Sequence, residues 1–153
     1  MSASDIPVGS GNAKNNKGEN VEWETPRPLT VEQIKATVQD YVKAARLAKK
    51  AGFDGIEVHG ANGYLLDQFL QTCSNKRTDE YGGSMENRAR FLLEVLDAII
   101  EDGAFPADRI GVRLSPNGAF GGMGSEDNDV LFPWVAGQLS KYGLAYRKFY
   151  EEE

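Results

Sequence analysis

The sequence predicts an α/β protein built on a parallel sheet, as part of a (β/α)₈ barrel rather than a whole one. Three observations lead there. Segments with a 3, 4 apolar spacing alternate along the chain with short segments of period two. Each period-two segment carries apolar residues on one face and Gly or polar residues on the other, unlike strands buried between two helical layers, which are apolar on both. The chain has 153 residues, whereas a complete barrel of this kind needs roughly 250.

Residues 1–28 are rich in Gly, Asn, Lys and Ser, end in Pro26, Arg27 and Pro28, and hold Trp23 as their one bulky side chain. They read as a flexible N-terminal arm. Thr30 stands three before Gln33, a capping-box spacing, and Leu29 and Ile34 sit where a hydrophobic staple would put them. A helix therefore starts at Val31. Ile34, Val38, Tyr41, Val42, Ala45 and Ala48 give it one buried stripe, and Gly52 ends it.

From Phe53 to His59 the period is two, with Ile56 and Val58 on one side and Gly55, Glu57 and His59 on the other. The segment Asn62 to Gln71 reads as a short helix, and Cys73 to Gly83 as a polar loop. Ser84 then caps a long helix striped by Met85, Ala89, Leu92, Leu96 and Ile99, with Glu86 in its first turn. A second strand, Arg109 to Ser115, repeats the alternation: Ile110, Val112 and Leu114 against Gly111, Arg113 and Ser115. A Gly-rich loop over 116–127 leads to a helix from about Asn128 to Tyr142, closed by Gly143. Leu144, Ala145 and Tyr146 begin a third strand that Arg147 and Lys148 are expected to end, leaving 147–153 as a charged tail.

Several function classes are excluded or disfavoured by composition. With 17 Lys and Arg against 23 Asp and Glu, the formal charge is −6, the wrong sign for a surface that displaces counterions from nucleic acid. One cysteine and one histidine argue against an internal disulfide and against a His-based metal site. No apolar run is long enough for a membrane span, and residues 1–20 hold no signal-type core, so a reducing, cytoplasmic setting is expected. The Gly-rich stretch at 118–124 lacks the Gly-Lys-Ser/Thr ending of a phosphate loop.

The strand faces locate the candidate chemistry. Barrel strands turn their inner face toward ligand near the C-terminal rim, which puts His59 and Arg113 at the tips of two consecutive strands. A structural reading stands beside it, in which Arg113 pairs with Glu57 across neighbouring inner faces, Asn62 caps a helix, and Tyr64 packs with a solvated hydroxyl. Cys73 reads as an ordinary loop residue.

The stretches AGFDGIEVHGANGYLLDQFL (Ala51 to Leu70), SNKRTDEYGGSMENRARFLLEV (Ser74 to Val95) and IGVRLSP (Ile110 to Pro116) closely resemble the old yellow enzyme family, the FMN-dependent, NAD(P)H-oxidising ene reductases of the 12-oxophytodienoate and N-ethylmaleimide reductase types. The resemblance runs from Thr25 to Tyr146. It implies that residues 29–146 form the centre of a TIM-barrel flavin oxidoreductase domain, about strands four to six with their helices. It further implies that His59 and Asn62 bind the carbonyl or nitro oxygen of an activated alkene, that Tyr64 is the catalytic proton donor, and that Arg113 lies against the flavin. FMN and either NADPH or NADH are the implied cofactors, an enone or nitro compound the implied substrate, and no metal is implied.

The family's full chain is more than twice as long, and the segments that hold the FMN phosphate and ribityl chain are not in this sequence. Two expectations follow from that extent. One is an ene reductase incomplete as this chain; the other is a catalytically silent α/β module acting through self-association, as a homo-oligomer, or through complementation by another chain, since few strands leave unpaired edges.

Overall fold

The computed structural model describes residues 1–7 and 13–150. A short antiparallel ribbon of β1 (Ala13–Lys14) and β2 (Asn20–Val21) precedes the main body. Helix α1 (Val31–Lys50) starts as its sequence dictates. Thr30 Oγ1 accepts the Gln33 N–H, Gln33 Oε1 accepts the Thr30 N–H, and Leu29 and Ile34 are both buried. Its stripe of Ile34, Val38, Val42 and Ala45 faces α3 (Met85–Asp102), whose own stripe includes Leu92, Val95, Leu96 and Ile99. Ser84 caps α3 by accepting the Asn87 N–H, and Gly103 ends it at φ 78°. An Arg46–Asp102 ion pair ties the C-terminal parts of the two helices together.

Between these helices lie β3 (Ile56–Gly60) and the six-residue α2 (Leu65–Leu70); after them come β4 (Ile110–Leu114), α4 (Asn128–Leu139) and β5 (Tyr146–Phe149). The three strands pair in parallel in the order β3-β4-β5. Ile110, Val112 and Leu114 are fully buried and share one core with Val58, the α1 and α3 stripes, and Leu131, Val135 and Leu139 of α4. The opposite face carries the residues read as inward-pointing. In register, Glu57 lies opposite Gly111 and His59 opposite Arg113. No helix among the described residues is long and apolar enough to cross a membrane.

The structure corrects two boundaries. Arg147 and Lys148 do not end the third strand but form its middle, and the ladder extends from Ala145 N–H on Ile110 O to Tyr150 N–H on Leu114 O. Parallel pairing uses backbone groups that any non-proline residue supplies, and the side chains of β5 are all exposed, so charge there goes unpunished. The start of the segment read as a flexible arm is packed: Ser2, Ala3 and Ser4 are buried, with Ser2 bonded to Arg27 and Leu29. The Arg77 guanidinium ties this segment down, donating to the carbonyls of Ala3 and Leu29 while paired with Asp79. Residues 8–12 of the expected arm and 151–153 of the expected charged tail lie outside the described residues.

Candidate active site

The segment after β3 is a turn before it is a helix. Asn62 and Gly63 have φ of 56° and 71°, and the Tyr64 N–H bonds to Ala61 O at 3.2 Å. Positive φ at both central residues under such a bond is the pattern of a type I′ turn, which an Asn-Gly pair favours more than any other. Helix α2 begins only at Leu65, with Tyr64 as its N-cap residue and no side-chain capping bond. Asn62 is therefore neither a helix residue nor a cap, and the signal that marks its true conformation is the Gly beside it.

This turn raises the Asn62 side chain next to the tip of β4. A cavity of about 210 Å³ is lined by Asn62, Tyr64, Arg113, Phe120 and Tyr150. His59 borders the group through the Tyr64 ring, at 5.4 Å between centroids and tilted by 50°. Tyr64 is 56% exposed. The Arg113 guanidinium sits 5.0 Å from the centre of the Tyr150 ring, a cation–π contact. Its Nε is buried and has no hydrogen-bond partner among the described residues. All four residues singled out from the sequence, His59, Asn62, Tyr64 and Arg113, thus meet at the C-terminal ends of two adjacent parallel strands.

The pairing of Arg113 with Glu57 does not occur. Glu57 accepts a hydrogen bond from the Tyr146 hydroxyl at 2.8 Å, which holds that phenol above its ordinary range. The register explains this. Gly111 separates Glu57 from Tyr146 in the sheet, and a Cβ at Gly111 would lie 2.3 Å from the Tyr146 ring. Only a residue without a side chain lets that ring cross β4 to reach β3.

Sequence reasoning missed a buried polar group behind the turn. Asp67 and Ser115 are both 0% exposed; Ser115 Oγ accepts the Asn62 N–H and Asp67 Oδ2 accepts the Gly63 N–H. Burial pushes the Asp67 carboxyl up from its ordinary value, against bonds from Gln71, Gly63 and Ser115 and the nearby His59, all of which favour the charged form. The available signal was Asp67 itself, a charged residue on the apolar side of a short helix. Cys73 is half-buried in a loop, its N–H donating to Ser125 Oγ, and does not line the cavity.

The sequence pattern of the NADH:flavin oxidoreductase / NADH oxidase family matches residues 2–146. A probable flavin mononucleotide-dependent alkene reductase from Leishmania infantum is 50% identical over 129 residues, covering 84% of this chain and 35% of the relative. The 12-oxophytodienoate reductase 2 of Arabidopsis thaliana is 47% identical over 121 residues, covering 79% and 32%. Among solved structures, morphinone reductase in complex with tetrahydroNAD superposes with a TM-score of 0.88 at 41% identity, over 99% of this chain and 44% of that one. The old yellow enzyme homologue from Zymomonas mobilis gives a TM-score of 0.89 at 37% identity, over 97% and 41%. The chain spans about a third of the length of the curated relatives it matches.

Proposed function

Because the chain belongs to the NADH:flavin oxidoreductase / NADH oxidase family, we propose that it supplies the substrate-binding and proton-donating part of an FMN-dependent ene reductase acting on α,β-unsaturated carbonyl or nitro compounds. In this reading the three parallel strands are an arc of the barrel, about its fourth to sixth strands. The observation that carries the proposal is the convergence of His59, Asn62, Tyr64 and Arg113 on neighbouring strand tips.

The residues present fit a flavin. Arg113 lines the cavity and its buried Nε has no partner among the described residues, and a buried donor without an acceptor is costly unless a ligand provides one. Arg113 would hold the acceptor-rich pyrimidine edge of FMN, where a fixed cation favours added negative charge. FMN, when bound, supplies the hydride carrier between NADPH or NADH and the alkene. His59 and Asn62 would donate hydrogen bonds to the substrate's carbonyl or nitro oxygen and stabilise the negative charge that develops there, as an oxyanion hole does. Tyr64, an exposed residue whose ring lies beside His59, would deliver a proton to the α-carbon.

The test separates the two half-reactions. FMN is added to the purified protein, the visible flavin band is followed on anaerobic addition of NADPH or NADH, and cyclohexenone is then supplied. The band should shift on binding, bleach with the nicotinamide and return with the enone. Replacing His59 and Asn62 together by Ala should leave the bleaching and slow the return. Equal loss in both halves would contradict the roles given to these residues, and an unshifted flavin spectrum would contradict cofactor binding by this chain.

A further inference from the structure

The turn carrying Asn62 is held by groups to which the chemistry above gives no part. The Asn62 N–H donates to Ser115 Oγ at 2.7 Å, and the Gly63 N–H donates to Asp67 Oδ2 at 2.8 Å. The two acceptors are themselves joined, the Ser115 hydroxyl donating to Asp67 Oδ2 at 3.3 Å. Gln71 Nε2 donates to the other carboxylate oxygen at 2.9 Å, and Gln71 Oε1 accepts the N–H groups of Gly124 and Ser125 in the Gly-rich loop. Ser115, Asp67 and Gln71 are all 0% exposed.

A buried carboxylate is a poor choice for packing alone, since an apolar residue of similar volume avoids its desolvation. Its use here is as an acceptor-only group that can take donors on both oxygens at once. It receives one of the two N–H groups that the turn directs away from the strand ladder, and Ser115 receives the other. Ser115 also lies two residues beyond Arg113, so the bond from Asn62 ties the turn to the strand end that carries the arginine.

We propose that Asp67 and Ser115, with Gln71 bracing the carboxylate, are positioning residues that hold Asn62 in its left-handed conformation and so fix its amide against the cavity and against Arg113. The inference rests on reading Asn62 as a donor to the substrate oxygen. Asn tolerates positive φ better than most side chains but does not prefer it. Without the acceptor at Ser115, the residue relaxes toward negative φ and the amide swings off its line. Displacements of about 1 Å from reacting geometry are enough to cost about 100-fold in rate.

Amide hydrogen exchange on the labelled chain reads the clamp directly, and para-chlorophenol affinity in the presence of FMN reads its consequence. Ser115→Ala should speed exchange at Asn62 and weaken phenol binding, each by about tenfold, the scale of one ordinary hydrogen bond. The amides of β3 and β4 should stay protected, and Ser115→Thr, which keeps the hydroxyl, should restore both values. Asp67→Asn, which cannot accept on both sides, should do the same at Gly63. Unchanged exchange at Asn62 in Ser115→Ala overturns the proposal, as does faster exchange with unchanged phenol affinity. If strand amides lose protection in both Ser115→Ala and Asp67→Asn, the network is a fold support and the proposal also fails. Failure of the underlying reading has a different signature: Asn62→Ala would then leave phenol affinity untouched while the exchange results stand.

Discussion

Asn62 and Gly63 place a conformational demand at the edge of the cavity that Asn62, Tyr64 and Arg113 line, and the neighbouring glycine can be interrogated on its own. A Cβ at Gly63 would stand 3.0 Å from Phe120 O and 3.1 Å from Met123 Cγ, at a φ of 71°. Gly143 has a similar φ of 66° with open space around it. The left-handed penalty alone is about 1–2 kcal/mol, so Gly143→Ala should lose that much in urea unfolding and Gly63→Ala should lose more. Equal losses would mean that the Gly-rich loop yields freely where it meets the turn. Tyr64 offers a cleaner separation of stability from chemistry, because its side chain is 56% exposed. Tyr64→Phe should leave the unfolding midpoint within about 0.5 kcal/mol of the parent, while alkene reduction by the flavin-loaded protein slows about 100-fold or more, the range of a lost general acid. Flavin reduction by the nicotinamide should not change, and a matching drop there would remove Tyr64 from proton delivery.

Helices α1 and α3 were legible in the sequence because each is announced twice, by a cap and by a stripe. The reciprocal bonds of Thr30 and Gln33 are the local announcement, and Thr30→Ala should cost about 1 kcal/mol of stability in a denaturant titration. An unchanged midpoint would show that the staple of Leu29 and Ile34 suffices. The strands were legible through alternation, which also set His59 and Arg113 on one face, and the register confirms that placement. What escaped were features fixed by backbone or by distant partners. Strand β5 hides behind charged side chains because its pairing is a backbone property and its side chains meet solvent. The turn at 61–64 hides because Tyr64, Leu65, Leu66, Phe69 and Leu70 supply a helical spacing that extends visually past its true start. The clamp of Asp67 and Ser115 is only half signalled: Asp67 stands out as a charged residue on the apolar side of a short helix, but nothing local to Ser115 indicates that an Asn62 N–H will arrive there.

Across the whole molecule, the ionisable groups that fold into specific partners define a pH profile. Hydrogen bonding to Arg77 lowers the Asp79 carboxyl, and hydrogen bonding to Arg46 lowers that of Asp102. A carboxylate depressed by folding contributes stability that is present above its unfolded pKa, near 4, and lost as pH falls through the folded value. Asp67, raised by burial, acts in the opposite sense, its contribution lost as pH rises. At the alkaline end, burial raises the phenols of Tyr81 and Tyr142, with bonds to Glu94 and Asp97 adding to it, and burial raises Tyr41. The folded chain then holds protons that the unfolded chain releases above about 10, so stability falls as pH rises through that value. The thermal midpoint should therefore show a plateau with an acid and an alkaline limb. The acid limb has a structural address: Arg77, whose side chain is 9% exposed, pins the buried N-terminal residues by way of Ala3 O and Leu29 O, and Asp79 is its counter-charge. Asp79→Asn should lower the midpoint at pH 7 and flatten the fall between about pH 5 and 3, and it should raise the exchange rate of the Ser2 amide, which is bonded to Arg27 O. An Asp79→Asn profile parallel to the parent's through the acid range would place the acid sensitivity elsewhere, with the Arg46–Asp102 tie between α1 and α3 as the next pair to test.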